Sequence, residues 1–455
     1  MRTCDRRSRH AADGQRAAGA RSARLPLRVD QAWAQWPIRL ALPGCWLGPA
    51  LFVAAISQQS SLPADTLFGR WMSQTGWAGP LVVLAFSCSW VLPLLTSLVA
   101  GDIFAREDRL GTWRHLLVAV RSPQRIFAAK VLASLTVILL LAVGLAVSGI
   151  VGGLAAVGNR PLVGLDGQLL APGQAAGAVL LAWASVLAPT LAFAAVGLLG
   201  SVALGRSPMG LVIPALLALL LQIAQLLPLP VVVRVALPNY AFIAWRGLFT
   251  DPAQTGPLLV GVAVSLVLAL AASTLAYQLF MRRDFTDVAY DGTGRRALVR
   301  AVLPLVALLA VTIGVIAGVT SASASGIDGP KLDRSLATSF AHLYRMQTAQ
   351  LHRPAVTEAE LRSSASCDKG GSLVAQVGAG NDWRCVVTWR LPGSAAVGSA
   401  IYQLDVNPDG HYVADGDGPP EVNGFFEVHT TTGDVPNPLW QLDSAVDLLT
   451  PISPN

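Results

Sequence analysis

Charge is scarce in this chain. Only 13% of its 455 residues are Asp, Glu, Lys or Arg, and lysine occurs just three times, at Lys130, Lys331 and Lys369. So little charge beside 53% apolar residues and a mean hydropathy of +0.53 excludes an ordinary soluble domain, whose surface needs more polar cover. Catalytic signatures are missing too. The sequence has no G-x-S-x-G elbow, no H-E-x-x-H zinc helix, no C-x-x-C pair and no G-x-x-x-x-G-K-[ST] phosphate loop, so nothing points to an enzyme or to a bound metal. The glycines of "GTG" at 292–294 lack the rest of a phosphate-binding loop and read as loop flexibility. Asp, Glu and His are absent from the long apolar blocks, with Asp102 at the edge of one. Ion-coupled carriers generally need such a group at depth, which weakens that class.

What is present is a series of apolar blocks near the roughly 20 residues that cross about 30 Å of hydrocarbon. Seven are expected to span, at about 38–57, 80–101, 127–156, 174–204, 209–232, 256–280 and 300–320. Arginines gather in the N-terminal tail, between blocks two and three, at Arg206, and between blocks six and seven; the opposite connections hold only Arg70, Arg160, Arg234 and Arg246. The positive-inside rule puts the first set in the cytoplasm, and seven crossings then put the C-terminal region outside. The net charge of +6 therefore belongs to a membrane face and implies no nucleic-acid partner. Residues 1–27 read as a disordered basic tail rather than a cleaved leader. Trp33 and Trp36, beside Arg28 and Arg39, suit either a short interfacial helix or an aromatic belt. The arginine bias and the Ala, Gly, Val and Leu richness fit a GC-rich bacterial genome, so the expected location is a bacterial plasma membrane.

After a cytoplasmic linker at 286–299 and the last span, residues 321–455 change to soluble composition. Leu332, Leu336, Phe340 and Leu343 mark an amphipathic helix. The runs "SLVAQVG", "WRCVVTWRL", "AIYQLDV" and "FFEVHT", parted by turn residues, predict an antiparallel sheet of four or five strands. The fold class expected is thus an α-helical polytopic membrane protein with a small α+β extracytoplasmic domain. Cys367 and Cys385 should pair in an oxidising compartment, the other reading being two free thiols; Cys4, Cys45 and Cys88 read as inert. His342 and His352 on the amphipathic helix read as solvated surface histidines. At depth, Gln222 and Gln225 are either inter-helix packing groups or part of a substrate pathway.

The loop between blocks two and three reads "GDIFAREDRLGTWRHLLVAVRSPQRIFAAK". Glu107, Arg109, Gly111 and Thr112, then Leu116–Leu117, the Arg-Ser-Pro-x-Arg stretch from Arg121 to Arg125 and Lys130 make it resemble ABC-2 type transporter permeases. A six-span core over 28–285 and "LPNYAFIAWRGLF" between blocks five and six are similar to that family's layout, the latter matching its short re-entrant helices. The resemblance implies a permease subunit that carries no cofactor itself, with ATP and Mg bound by a separate ABC ATPase. It implies a second permease copy or paralogue, a coupling helix that includes Glu107, Arg109, Gly111, Thr112 and Arg114, and export of a hydrophobic or amphipathic compound. Arg109 and Arg114 would pair with partner carboxylates, and Gly111 would admit close backbone approach. The seventh span and outer domain depart from the family pattern. The competing reading is a membrane-anchored binding or sensory protein acting through that domain.

Overall fold

A computed structural model describes residues 36–58, 75–120, 122–204, 209–227, 229–283, 294–319, 326–371, 374–431 and 433–449. The basic tail, the interfacial segment as far as Gln35, Arg70, Arg206 and most of the 286–299 linker lie outside the described residues.

The apolar blocks fold as helices. These are α1 (Trp36–Ser57), α2 (Ala78–Phe86) continued through a π turn (Ser87–Val91) into α3 (Leu92–Ala100), and the short pair α4 (Ala105–Leu110) and α5 (Trp113–Val120). Then come α6 (Pro123–Ala156), the hairpin β1 (Leu162–Val163) and β2 (Leu169–Leu170), α7 (Pro172–Ser185), α8 (Leu187–Leu204) and α9 (Met209–Leu226). After α10 (Val231–Val235) and two 3-10 turns (Pro238–Phe242 and Ala244–Phe249) follow α11 (Thr255–Met281) and α12 (Gly294–Val319). Six described helical segments are long and apolar enough to cross a membrane: Trp36–Ser57, Ala78–Asp108, Pro123–Ala156, Pro172–Leu204, Thr255–Met281 and Val302–Val319. In the fifth expected block the described apolar stretch is shorter, Val212–Gln225 within α9, and residues 205–208 and 228 beside α9 lie outside the described residues. The last helix already begins at Gly294, inside the expected linker.

Two packing groups form. In the first, α1 and the start of α2 lie against α6. A Cβ on Gly152 would sit 2.5 Å from Ala50 Cα, and one on Gly153 only 2.1 Å from the Gly76 carbonyl oxygen. Glycine at these two positions lets the backbones touch, and Ala50 N donates to Ser148 Oγ across the same seam at 3.0 Å. In the second group α8 packs on α11, α9 and α3, with α12 leaning on α8 and α11. The described residues bury only 6% of the apolar stretch of α12.

The C-terminal region is α13 (Gly329–Gln350), α14 (Glu358–Leu361), α15 (Pro420–Asn423) and strands β3 (Ser364–Lys369), β4 (Gly380–Arg390), β5 (Val397–Val406), β6 (His411–Gly416), β7 (Glu427–Thr430), β8 (Gly433–Pro436) and β9 (Gln441–Ala445). Five strands form an antiparallel sheet in the order β3-β4-β5-β6-β9, and β7–β8 is a separate hairpin. The expected strand within "SLVAQVG" is not formed by its described residues; the first strand lies upstream at β3. "FFEVHT" joins the hairpin rather than the main sheet. α13 lays Leu332, Leu336 and Phe340 on the sheet, where Phe340 meets Trp389 at 4.8 Å. Cys367 and Cys385 are register partners on β3 and β4 and form a disulfide.

Candidate functional site

The residues carrying the family resemblance form an elbow at one end of the helices. Ser201 of α8 accepts hydrogen bonds from the backbone N–H groups of Phe104 (3.1 Å) and Ala105 (3.0 Å), which capping otherwise leaves unpaired at the start of α4. Glu107 points inward, where Lys130 of α6 donates to it at 2.8 Å and Thr112 donates its hydroxyl. The Lys130 ammonium also donates to the Ile103 carbonyl and lies 5.6 Å from the Phe104 ring centroid. Asp108 accepts from Trp113 Nε1 (2.6 Å) and pairs with Arg283, just beyond α11, whose Nη1 lies 2.9 Å away. Beneath these pairs Phe104, Trp113, Phe127 and Phe280 make one aromatic cluster, the Phe104 and Phe280 centroids 5.1 Å apart.

The elbow is therefore bolted to α8 through its backbone N–H groups, and to α6 and to Arg283 just beyond α11 through its acidic residues. Glu107 and Thr112 are engaged within the chain. Gly111 adopts φ +63 and ends α4 in a left-handed turn, with open space where a Cβ would go. Its requirement is conformational, and the structure brings no backbone close to it. Arg109 and Arg114 lie on α4 and α5, but their side chains are outside the described set. Leu110 (59% exposed) and Val118 (80%) face outward with Gly111 and His115. Ser201, Asp108 and the aromatic cluster escaped sequence reasoning. Ser201 is one small polar residue in an apolar helix, and nothing local marks its partner.

Deeper in the bundle, Gln222 Nε2 lies 3.4 Å from the carbonyl of Ser89 in the π turn. Gln225 donates to Asn239 Oδ1 at 3.3 Å, and Asn239 donates to the Leu221 carbonyl at 2.8 Å. Both glutamines thus join α9 to neighbouring segments.

A second polar assembly lies at the opposite end of α6, where the C-terminal domain sits on the helices. Arg234 of α10 is 2% exposed and donates to the Leu227 carbonyl at 2.9 Å and to that of Pro408 in the β5–β6 turn. Burial holds its guanidinium below the ordinary arginine range, against the raising effect of Asp409. Arg246 lies 3.6 Å from Asp409, and Gln254 donates to the Ala445 carbonyl at 2.9 Å. Gly167, between β1 and β2, would put a Cβ 2.7 Å from Leu343 of α13. His342 corrects the expectation of a solvated surface group: it is 4% exposed and faces Asp166 and Glu358. Beside it a cleft of about 760 Å³ runs between α13 and the Thr250–Gly256 segment, lined by hydroxyls such as Ser335, Thr338 and Thr255. Among the described residues no group of three His, Cys, Asp or Glu side chains is placed to hold a metal ion.

Compared with family models, characterised proteins and solved structures, the chain matches none. What stands is its class: a mostly helical protein with, among the described residues, six helices long and apolar enough to cross a membrane and a small sheet-containing C-terminal region.

Proposed function

We propose that this chain is the membrane-spanning permease subunit of an ABC-2 type transporter in a bacterial plasma membrane, exporting a hydrophobic or amphipathic compound. ATP and Mg are bound by a separate ABC ATPase, and a second copy or paralogue completes the pathway. In this reading α9 supplies the remaining crossing, the elbow is cytoplasmic and the C-terminal domain extracytoplasmic. The exposed flank of α12 meets lipid or the second subunit.

The observation that carries the reading is the anchoring of α4 and α5. A coupling element must pass rigid-body motion to the spans, and this one is tied to three of them by Ser201, Lys130 and Arg283. A push on Leu110, Gly111, His115 or Val118 that bent the elbow away from the spans would have to separate the largely buried pairs Glu107–Lys130 and Asp108–Arg283. The acidic residues face inward, so partner contact falls to the outward surface and to Arg109 and Arg114.

The test is recovery of a co-expressed ABC ATPase with wild-type chain and with Arg109→Glu/Arg114→Glu. Like-charge contacts at an interface cost several kcal/mol, so ATPase recovery and substrate-stimulated turnover should both fall while membrane insertion persists. Equal recovery and equal turnover would remove these arginines from the interface. Failure of any ATPase to bind the wild-type chain would favour the membrane-anchored binding protein, a reading for which the cleft under the C-terminal domain is the supporting feature.

A further inference from the structure

His342 lies at the seam between the helices and the C-terminal domain. Its Nδ1 is 3.1 Å from the Asp166 carbonyl oxygen and 3.6 Å from Asp166 Oδ2. On the other side of the ring, Nε2 is 3.2 Å from Glu358 Oε2. Asp166 belongs to the β1–β2 connection between α6 and α7, whereas Glu358 opens α14 of the C-terminal domain. The ring therefore bridges two parts of the fold and meets an acceptor at each nitrogen.

Chemistry decides which protonation state fits. A neutral imidazole has one N–H and one lone pair, so either tautomer turns a lone pair toward an oxygen. Only the imidazolium donates at both ends. Asp166 cannot swing away, because its carboxylate also accepts from the backbone N–H groups of Asp251 (2.6 Å) and Gln168 (3.1 Å). The other charged groups around the ring are Arg345, which pairs with Glu358 from the same helix, Asp251 on the segment entering α11, and Arg353 at the rim of the adjoining cavity. Arg345 is half exposed and Asp251 is exposed, so solvent screens both. The carboxylates closest to the ring are thus the buried one of Asp166 and the partly exposed one of Glu358.

We propose that His342 is a proton-operated clasp, which pins the C-terminal domain to the β1–β2 hairpin when protonated and loosens it when neutral, widening the cleft beside it. A histidine titrates in the mildly acidic to neutral range, and a buried one that switches interface contacts is a familiar device. Burial raises Asp166 above the usual carboxylate range, against the pull of the Asp251 N–H and His342. Protonation of that carboxyl, which its raised pKa brings on in milder acid than for an ordinary aspartate, cancels the ion pair. The clasp is therefore closed with His342 protonated and Asp166 ionised, and it opens when His342 loses its proton. It stands whether the chain exports a compound or binds one at its surface.

The experiment is hydrogen–deuterium exchange on the full chain in lipid nanodiscs at pH 6.0 and 8.5, corrected for intrinsic exchange rates. Opening of residues 162–170 and of the middle of α13 should rise roughly tenfold with pH, while amides within α6 keep a constant opening. In His342→Gln, which keeps one donor and cannot titrate, the response should vanish. Glu358→Gln removes the charge at the more exposed end and should cut the response at least several-fold, so the idea remains testable if His342→Gln does not fold. A wild-type chain with no pH response, or either variant retaining the full one, would overturn the clasp.

Discussion

Lys130 is one of only three lysines in the chain and sits where a long apolar helix meets the elbow. Its worth lies in what it neutralises. Glu107 keeps 17% of its side chain exposed and has this ammonium as its cationic partner at 2.8 Å. Lys130→Met should destabilise the folded protein by roughly 3 kcal/mol, because a largely buried carboxylate is left without its counter-charge. Adding Glu107→Gln should recover most of that loss; thermal unfolding in detergent would show it, and a double variant no better than the single one would refute the pairing argument. Ser201→Ala should cost about 1–3 kcal/mol by orphaning two buried N–H groups, read in the same assay. Residue-scale reading from sequence went furthest astray at His342. Helical spacing was correctly read, but burial by the β1–β2 connection, far away along the chain, has no local signature.

Elements were more legible. Alternation and turn residues marked β4 and β5 of the sheet, while β3, β6 and β9 went unread, being short and polar on one face. The places of β3 and β9 follow from pairing with β4 and β6. The Cys367–Cys385 link joins register partners, and reduction should lower the stability of the C-terminal domain by roughly 3 kcal/mol, visible as a lower denaturant midpoint for that domain alone. Tyr412 sits beneath α13 with its hydroxyl on Ser335, and burial pushes it up to about 12. Burial also raises Tyr402. Both phenols are neutral in folded and unfolded chains below about pH 10, so their stabilisation is complete there and fades as pH climbs through their folded values. At about pH 11, between the unfolded and folded values, ultraviolet titration of the native protein should accordingly show fewer ionised tyrosines than the unfolded chain. In the helices, Gly152→Val should loosen α1 from α6 by about 1–3 kcal/mol of overpacking, measurable as faster proteolysis of α1.

At the scale of the whole molecule, orientation is the sharpest prediction. Cysteines placed at exposed Ser394 and His115 should label from opposite sides, Ser394 from outside and His115 only after the membrane is opened. The reverse pattern would remove the elbow from any cytoplasmic partner. Composition and block length by themselves determined that the chain is a membrane protein with a polar C-terminal domain, since about 20 apolar residues in a row have few other soluble or folded fates. The two cysteines that pair were also legible in the sequence, whereas the elbow segment was marked only by its resemblance to a known family. Block length did not reveal α10 or the buried 3-10 turns that follow α9. Only the tertiary structure decided that Glu107 faces its own helices, that Ser201 caps the elbow, and that His342 is enclosed by two carboxylates. Each of these depends on contacts between segments distant in sequence, whereas the hydrophobic effect that selects a membrane span acts on the local run of residues and can be read directly from it.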